Sequence, residues 1–301
     1  MIVVTTPTGQ IGKQVLEKVL RRGEPVRVIA RNPDALSSDT IARVEVVAGS
    51  HGDPAVVDEA FEEADSVFWL CPADPRAPSP EAAYVEFTRP AAAAIDRHKV
   101  ARVVGISALG RGSPIAEHAG LVTASLAMDD LLASTGASYC AVTNPSFMDN
   151  LLRQVEAIRT QGAFFLPVDG DLKQPAAATR DIAAAAAELL LDHSWAGDSE
   201  RPVMGPEDLS FNEMAAIMSD VLDRPVRFQR ISDDAYKARL LSFGMSEAMA
   251  QATLDMWTAY GEGLDLAEPR TAASTTPTSF RQWCEDTLRP AIETADARAS
   301  Q

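Results

Sequence analysis

The feature that most constrains this chain is its first turn, Thr5-Thr6-Pro7-Thr8-Gly9-Gln10-Ile11-Gly12. The turn follows Ile2-Val3-Val4, a β-branched run typical of a buried strand, and precedes Lys13 to Arg22, where apolar residues recur at helical spacing. A strand that turns through glycines into a helix directs the free N–H groups and the positive dipole end of that helix at the turn. The stretch therefore predicts a site for a phosphate group.

Strand and helix patterns then alternate along the first half of the chain. After the first strand, apolar runs predict strands at Val26–Ala30, Val44–Ala48, Ser66–Cys71, Arg102–Ser107 and Ser138–Thr143. Helical patterns lie between and after them, at Pro54–Glu63, Glu81–His98, Ile115–Ser134 and Phe147–Arg159. Alternation of this kind predicts parallel strands joined by right-handed crossovers, which is an α/β, Rossmann-type doubly wound sheet.

The alternation loosens in the second half, which predicts a smaller α/β lobe. Helices are expected at Thr179–Leu191, Ser210–Leu222, Asp233–Tyr260 and Pro277–Pro290, with short strands at Arg201–Gly205 and Val226–Ile231. Ser210 and Glu213 form a capping-box pattern. We expect a dinucleotide-binding domain over residues 1–150, with 176–204 packing back on it. Residues 151–175 and 205–292 would form the substrate-side lobe, and 293–301 a polar tail.

Composition excludes several function classes. The net charge of −16 argues against nucleic acid, because affinity for a phosphate backbone rests on lysine and arginine. No apolar run approaches the roughly 20 residues that span a bilayer, and the first strand leaves no room for a signal peptide. Three distant cysteines and four scattered histidines show no metal-ligand spacing. A reduced, cytoplasmic protein without a metal site is expected, and a homodimer is left open.

Topology alone locates the expected binding site. Ligands of open parallel sheets bind beyond the carboxyl ends of the strands. The candidate cofactor-binding residues at those ends are Thr6, Thr8, Gly9, Gln10, Ile11, Gly12, Arg31, Ser50, His51, Cys71 and Pro72. Ser107-Ala108 and Pro145-Ser146-Phe147 follow the next two strands and belong to the same edge.

Six segments together resemble the NmrA-like family of atypical short-chain dehydrogenases. They are Thr-Pro-Thr-Gly-Gln-Ile-Gly (6–12), Val-Ile-Ala-Arg-Asn-Pro (28–33), Gly-Ser-His-Gly-Asp-Pro (49–54), Thr-Asn-Pro-Ser-Phe-Met-Asp-Asn (143–150), Thr-Arg-Asp-Ile-Ala (179–183) and Gly-Pro-Glu-Asp-Leu-Ser-Phe (205–211). The likeness covers nearly the whole chain in order. It implies an NAD(P)-binding Rossmann domain with a small C-terminal lobe. The family includes quinone reductases, iminium reductases and co-regulators that sense the nicotinamide pool.

The resemblance also assigns residues. Gly9 and Gly12 match the second and third fingerprint glycines, which let the backbone approach a pyrophosphate and let the helix pack closely. Arg31 matches the arginine that holds a 2′-phosphate in this family, so NADP(H) is favoured over NAD(H); the alternative is a surface arginine. Lys13 does not complete a P-loop, because a proline and a glutamine occupy two of its required positions.

Three departures from the family pattern matter. Thr6 occupies the place of the first glycine, and Ser50 stands where the family often has an aspartate. The Tyr-x-x-x-Lys dyad of the wider superfamily is missing, because the matching positions are Leu121 and Ser125. The sequence therefore offers no lysine-assisted tyrosine to protonate an alkoxide product.

The missing dyad shapes the function hypotheses. The leading one is an NADPH-dependent reductase of a small conjugated or cationic substrate, quinone-like or iminium-like, which needs no protein proton donor at the reacting atom. The alternatives are a regulator that senses NADP(H) without turnover and a pathway enzyme that uses the fold for a non-redox step. Ser107 and His118 are candidate catalytic residues, and the alternative for His118 is a surface histidine. Phe147, Met148 and Asn150 are candidate pocket residues, and core packing is the other interpretation of Phe147 and Met148.

Overall fold

The computed structural model describes residues 1–299 as a mixed α/β chain. Its strands are Ile2–Thr5 (β1), Val26–Ala30 (β2), Glu45–Ala48 (β3), Ser66–Trp69 (β4), Arg102–Ala108 (β5), Ser138–Asn144 (β6), Ser146–Phe147 (β7), Ala163–Leu166 (β8), Gln174–Ala177 (β9), Ser199–Pro202 (β10), Asp208–Leu209 (β11) and Arg227–Arg230 (β12).

The α-helices follow the same order. They are Gln10–Arg21 (α1), Ser38–Ile41 (α2), Pro54–Phe61 (α3), Phe87–His98 (α4), Leu121–Ala133 (α5), Val155–Gln161 (α6), Thr179–Leu191 (α7), Phe211–Leu222 (α8), Asp233–Ser242 (α9), Glu247–Gly261 (α10), Phe280–Trp283 (α11) and Arg289–Ala299 (α12). Turns of 3₁₀ helix cover Pro33–Ala35, Pro114–His118, Met148–Gln154 and Leu264–Leu266, and π-helical segments cover Ala82–Glu86 and Cys284–Leu288. None of the helices described over residues 1–299 is long and apolar enough to cross a membrane.

The chain divides into two units. The first comprises Met1–Ala108, Val122–Thr143 and Ile182–Pro202, and the second comprises the remaining described residues. The first unit holds a seven-stranded parallel sheet in the order β10-β6-β5-β4-β1-β2-β3. The strand order reverses next to β1, so the doubly wound sheet predicted from the sequence is confirmed.

The core of the first unit explains the apolar strand runs. Val3, Val67 and Val103 are fully buried, and helices α3 and α4 contribute Phe61 and Ile95 to the same hydrophobic cluster. A parallel strand covered by helices on both faces has to be apolar throughout, which is the pattern those strands show.

The second unit holds two small sheets. Strands β7, β9 and β11 form one, with β7 parallel and β11 antiparallel to the central β9, and β8 pairs with β12 in parallel. Its core includes Phe164, Phe211 and Trp283. Helix α8 begins with the predicted capping box: the Glu213 N–H donates to Ser210 Oγ over 3.1 Å, and the Ser210 N–H donates to Glu213 Oε2 over 2.9 Å.

Several predicted helix bounds are wrong. The expected helix at Asp233–Tyr260 is two helices, because Gly244 adopts φ +83° and ends α9, after which Ser246 caps α10. The expected helix at Ile115–Ser134 breaks between the 3₁₀ turn and α5. Apolar residues lie on both sides of the first break, Leu240 and Leu241 before it and Met245 and Met249 after it, so apolar spacing alone does not reveal the break.

Three more segments differ from expectation. Phe147–Arg159 begins as strand β7 and a 3₁₀ turn before α6. Helix α12 continues through residues 293–299, which the sequence places in a polar tail; residues 300 and 301 lie outside the described residues. Strands β8 and β9 went unpredicted.

Candidate functional site

The turn from β1 into α1 has the geometry of an anion site. The Gly9 N–H donates to the Thr6 carbonyl over 2.9 Å, and the first bond inside the helix runs from the Lys13 N–H to the Gly9 carbonyl over 3.0 Å. The backbone N–H groups at positions 10–12 therefore precede the helical hydrogen-bond ladder and point out of its end. No acidic residue occupies the first turn of α1, so the end keeps its attraction for a phosphate.

Thr6 takes the conformation that the missing glycine would take. Its φ is +50°, in the left-handed region that β-branched residues rarely enter. Its Oγ1 is buried and has no hydrogen-bond partner among residues 1–299. The substitution therefore leaves the turn geometry intact at the cost of backbone strain and an unpaired hydroxyl.

Gly12 is required by close packing. A Cβ at this position would lie 2.8 Å from the carbonyl carbon of Thr6 and 2.9 Å from its Oγ1, closer than real Cβ contacts. A Cβ on Gly9 would meet the Thr6 carbonyl oxygen at 3.3 Å. Helix α1 can approach the turn because positions 9 and 12 carry no Cβ. The exposed N–H groups then fit a dinucleotide pyrophosphate.

Arg31 directly follows β2 and is exposed. Among residues 1–299 no carboxylate pairs with its guanidinium, and it lies close enough to His51 to lower the pKa of that imidazole. A free guanidinium at the carboxyl end of the second strand suits a phosphate monoester on a ribose. The neighbouring Ser50 Oγ accepts the Gly52 N–H over 3.3 Å.

His51 is a buried neutral imidazole. Its Nε2 donates to the Leu70 carbonyl over 3.1 Å, and its ring packs edge-on against Trp69 and Phe87, with centroid distances of 5.1 and 4.9 Å. Burial lowers the pKa of His51 to about 4, with a smaller contribution from the charge of Arg31. The side chain consequently ties the end of β3 to the end of β4 and does not titrate near neutral pH.

Cys71 and Pro72 follow β4. The Cys71 thiol donates to the Ala83 carbonyl over 3.1 Å, and burial raises its pKa to about 12. A thiol held in its protonated form is a packing group and not a nucleophile. Pro72 is exposed at the same edge.

Ser107 belongs to a buried polar network that sequence reasoning missed. Its Oγ donates to Asp129, which also accepts the Tyr139 hydroxyl over 2.6 Å, and Ser125 Oγ lies 3.4 Å from Ser107 Oγ. Asp129 is 1% exposed. Ser125 and Asp129 lie four residues apart on one face of α5, so an acid within an otherwise apolar helical stripe was the available signal.

The hydrogen bond to Asp129 uses the proton of the Ser107 hydroxyl. Because the hydroxyl donates its one proton to Asp129, any other hydrogen bond of the Ser107 oxygen is accepted and not donated. Ser125 supplies a second hydroxyl to the same network.

The other predicted site residues belong to the second unit. His118 is exposed at the end of a 3₁₀ turn, and Asn150 is exposed in the next one. Met148 is 3% exposed and lies in the hydrophobic core, whereas Phe147 is half-buried on β7. The first unit thus gathers the predicted cofactor residues together with Ser107, and the second holds the predicted pocket residues.

Asp265 in the second unit is a buried acid that the sequence did not single out. It lies in the 3₁₀ turn Leu264–Leu266 and is 7% exposed. Burial raises its pKa to about 7, against a smaller opposing effect of the Ser146 N–H, which donates to the carboxylate. The only sign in the sequence was that Ser146, whose N–H donates to this carboxylate, comes just after the carboxyl end of β6.

The parallel sheet with a glycine-lined turn into α1 defines a Rossmann-type protein. The chain belongs to the NmrA-like family, whose family model matches residues 1–284. The resemblance noted from the sequence is thereby confirmed.

Three of the relatives are named as reductases or oxidoreductases. The chain is 33% identical over 242 residues to the (4-alkanoyl-5-oxo-2,5-dihydrofuran-3-yl)methyl phosphate reductase of Streptomyces griseus subsp. griseus, covering 80% of this chain and 81% of the relative. It is 29% identical over 257 residues to the NAD(P)H azoreductase of Xenophilus azovorans, with 85% and 86% covered. Quinone oxidoreductase 2 of Escherichia coli is 23% identical over 257 residues, with 85% and 86% covered.

Solved structures support the fold. An NADPH-dependent quinone oxidoreductase from Escherichia coli, determined with NADPH, superposes with a TM-score of 0.74 at 21% identity, covering 98% of this chain and all of that one. A triphenylmethane reductase from Citrobacter sp., determined with NADP(H), gives a TM-score of 0.72 at 20% identity, with 98% and 99% covered.

Proposed function

We propose that this protein is an NADPH-dependent reductase of a small conjugated substrate. The observation that carries the proposal is the phosphate cradle at the start of α1, where Gly12 packs on Thr6, together with the unpaired guanidinium of Arg31 at the end of β2. One feature fits a pyrophosphate and the other fits a 2′-phosphate, and NADPH carries both groups.

Each residue of the cofactor site has a specific part. The N–H groups of Gln10, Ile11 and Gly12 would hold the pyrophosphate, and Arg31 the 2′-phosphate. Ser50 and the turn that carries His51 would border the adenosine end of the cofactor. Thr8, Cys71 and Pro72 would border the rest of the same cofactor site. When bound, the reduced nicotinamide supplies the hydride.

The relatives support the substrate class. Their names refer to a dihydrofuranone phosphate, to azo compounds and to quinones, which are all conjugated electron acceptors. Such acceptors do not produce the alkoxide for which the superfamily dyad supplies a proton, so Leu121 and Ser125 are compatible with turnover. Phe147, on the strand that follows β6, is the candidate flat contact for a conjugated ring, and Ser107 and Asn150 are the candidate polar contacts.

A second candidate function is sensing of NADP(H) without turnover. One relative, 25% identical over 299 residues, is the prestalk A differentiation protein A of Dictyostelium discoideum, whose name describes development and not a reduction. The same cradle and Arg31 would serve a sensor equally well.

The deciding experiment has two steps. NADPH titration followed by tryptophan-to-nicotinamide energy transfer is expected to show binding in the micromolar range. NADPH oxidation is then measured with a naphthoquinone, an alkylated butenolide phosphate, an azo dye and a cyclic iminium. Turnover of at least one acceptor supports the reductase; binding with no turnover supports the sensor, and no binding overturns both.

Location and assembly are part of the proposal. The three free cysteines support a reducing, cytoplasmic location. A homodimer is the first alternative to a monomer, and mass photometry of the purified protein decides between them.

A further inference from the structure

Ser107 lies at the same edge of the large sheet as the turn from β1 into α1. In the parallel register, Val4 of β1 is level with Phe68 of β4, and Phe68 is level with Val104 of β5. Ser107, three residues beyond Val104, therefore lies at the height of the turn that follows β1. Strands β1 and β5 are second neighbours, so about 10 Å separates them. All of these residues belong to the first unit.

The cofactor proposed above would extend along this edge with its nicotinamide half toward β5. The two halves of a dinucleotide are joined by its pyrophosphate, which the turn into α1 would hold. Arg31, which would bind the 2′-phosphate of the adenosine half, follows β2 on one side of β1. The nicotinamide half then lies on the other side, where the order is β5-β4-β1. Ser107 is a polar side chain at the end of the strand that this half would reach.

Asp129 sets the direction of the hydrogen bond that Ser107 makes. The Ser107 hydroxyl donates to one carboxyl oxygen of Asp129, and the Tyr139 hydroxyl donates to the other over 2.6 Å. Asp129 is 1% exposed, so it would act on a ligand through Ser107 and not by direct contact. Because the one Ser107 proton goes to Asp129, a ligand group that bonds to the Ser107 oxygen has to be a donor.

Gly105 makes room for this network. It lies two residues before Ser107 and thus on the same face of β5. A Cβ at Gly105 would lie 2.9 Å from the ring carbons Cε2 and Cζ of Tyr139, so a side chain there would displace the Tyr139 hydroxyl from Asp129. Ser107 is itself buried. Water therefore does not compete for the Ser107 proton, and the direction of its hydrogen bond stays fixed.

We infer, on the basis of the proposed function, that Asp129 is a positioning residue that makes Ser107 the acceptor for the carboxamide N–H of the nicotinamide. The ribose hydroxyls of the nicotinamide half can donate or accept, so they do not discriminate between an acceptor and a donor in the protein. The carboxamide nitrogen only donates, so it is the group of this half that an acceptor oxygen recognises. Asp129 thereby selects for the amide and orients it.

The test compares NADP⁺ with its 3-acetylpyridine analogue, in which a methyl group replaces the carboxamide NH₂. Both oxidised dinucleotides are titrated by calorimetry, so the measurement needs no turnover. The wild type is expected to bind NADP⁺ about 3- to 10-fold more tightly than the analogue, which is the contribution of one neutral hydrogen bond. Ser107→Ala removes the acceptor and is expected to bring the two Kd values within about twofold of each other.

Asp129→Asn tests the positioning role. Its amide can accept the Tyr139 proton and donate to Ser107, which releases the Ser107 proton for a ligand. A donating Ser107 suits the acetyl oxygen and the carboxamide oxygen alike, so the preference for NADP⁺ is expected to fall below about twofold. A purely structural Asp129 would weaken both dinucleotides by the same factor. Asp181→Asn is the matched control and should keep the wild-type ratio, because Asp181 is also buried and accepts the Thr278 hydroxyl over 2.8 Å.

The possible results distinguish failure of this role from failure of the proposed function. Equal affinity of the wild type for the two dinucleotides, or a wild-type ratio in Ser107→Ala, overturns the role of Ser107 and leaves NADP(H) binding standing. An unchanged ratio in folded Asp129→Asn overturns the positioning role of Asp129. If Asp129→Asn does not fold, the wild type and Ser107→Ala still decide, since a donating Ser107 would give the wild type no preference. Binding of neither dinucleotide overturns the cofactor and the role of Ser107 together.

Discussion

A side chain on Gly12 would collide with the backbone of Thr6, and this relationship sets the shape of the cradle. Helix α1 reaches the turn only because Gly12 has no Cβ. The β1–α1 turn itself depends on the left-handed conformation of Thr6, whose carbonyl accepts the Gly9 N–H. Two residues six positions apart thus place the free N–H groups of the proposed pyrophosphate site.

Gly12→Ala is expected to weaken NADPH binding at least tenfold and to destabilise the fold by about 1–3 kcal/mol through overpacking. NADPH titration and urea unfolding measure the two effects. Gly261→Ala is the control, because a Cβ at the end of α10 meets nothing within 4 Å. Unchanged NADPH affinity in Gly12→Ala would contradict the cradle.

Thr6→Gly is expected to raise the free energy of unfolding by about 0.5–1 kcal/mol. Relief of the left-handed strain, about 1–2 kcal/mol, exceeds the entropy cost of a glycine, about 0.5–1 kcal/mol. Thr8 has an ordinary negative φ and is exposed, so Thr8→Gly should destabilise by a similar amount. Urea unfolding of both variants checks the sign, and a destabilised Thr6→Gly would mean that the Thr6 side chain stabilises the turn.

Arg31→Ala is expected to raise the Kd for NADPH about 10- to 100-fold, which is the loss of a charge-assisted hydrogen-bonded pair. The Kd for NADH should change less than about twofold, since NADH lacks the 2′-phosphate. Arg89→Ala is a charge-matched control, because Arg89 pairs with Glu86 on the surface of α4. Equal losses for NADPH and NADH would remove the phosphate assignment.

The burial of His51 makes stability depend on pH. Its folded pKa of about 4 lies below the unfolded value of 6.5, so the unfolded chain takes up the proton first. The stabilising contribution of neutral His51 to the free energy of unfolding is therefore complete above pH ~6.5 and falls as the pH drops toward 4. Between pH 7.5 and pH 5 the loss from this one group is about 2 kcal/mol.

His51→Leu is expected to remove that part of the pH dependence while costing stability at pH 7.5, where the bond to the Leu70 carbonyl is lost. Urea unfolding at the two pH values gives the difference. His118→Gln, at an exposed imidazole, is the control and should keep the wild-type slope. A wild-type slope in His51→Leu would assign the pH dependence to other groups.

Tyr139→Phe is expected to destabilise the first unit by about 1–3 kcal/mol, because Asp129, a carboxyl that is 1% exposed, loses a hydroxyl donor. Tyr236→Phe removes a hydroxyl whose partner is the neutral indole of Trp257, at 3.1 Å, and should cost about 0.5–1.5 kcal/mol. Thermal unfolding ranks the two variants. A smaller loss for Tyr139→Phe would show that Asp129 is satisfied without Tyr139.

Local sequence determined the strands of the large sheet and the place of the candidate cofactor site. Continuous apolar runs specify parallel strands covered on both faces, and strand ends are short-range features, so Thr6–Gly12, Arg31 and Ser50–His51 could be located by topology. The capping box of α8 was equally local, and it formed as expected.

Tertiary structure alone decided the rest. Nothing local distinguishes Asp265 from the other acids of a chain with 43 Asp and Glu residues, because its burial depends on contacts with residues more than a hundred positions away, such as Ser146. Ser107, Asp129 and Tyr139 form one network from three different elements for the same reason. The pKa of a carboxyl is set by desolvation and by its partners, and these exist only once distant segments have packed together.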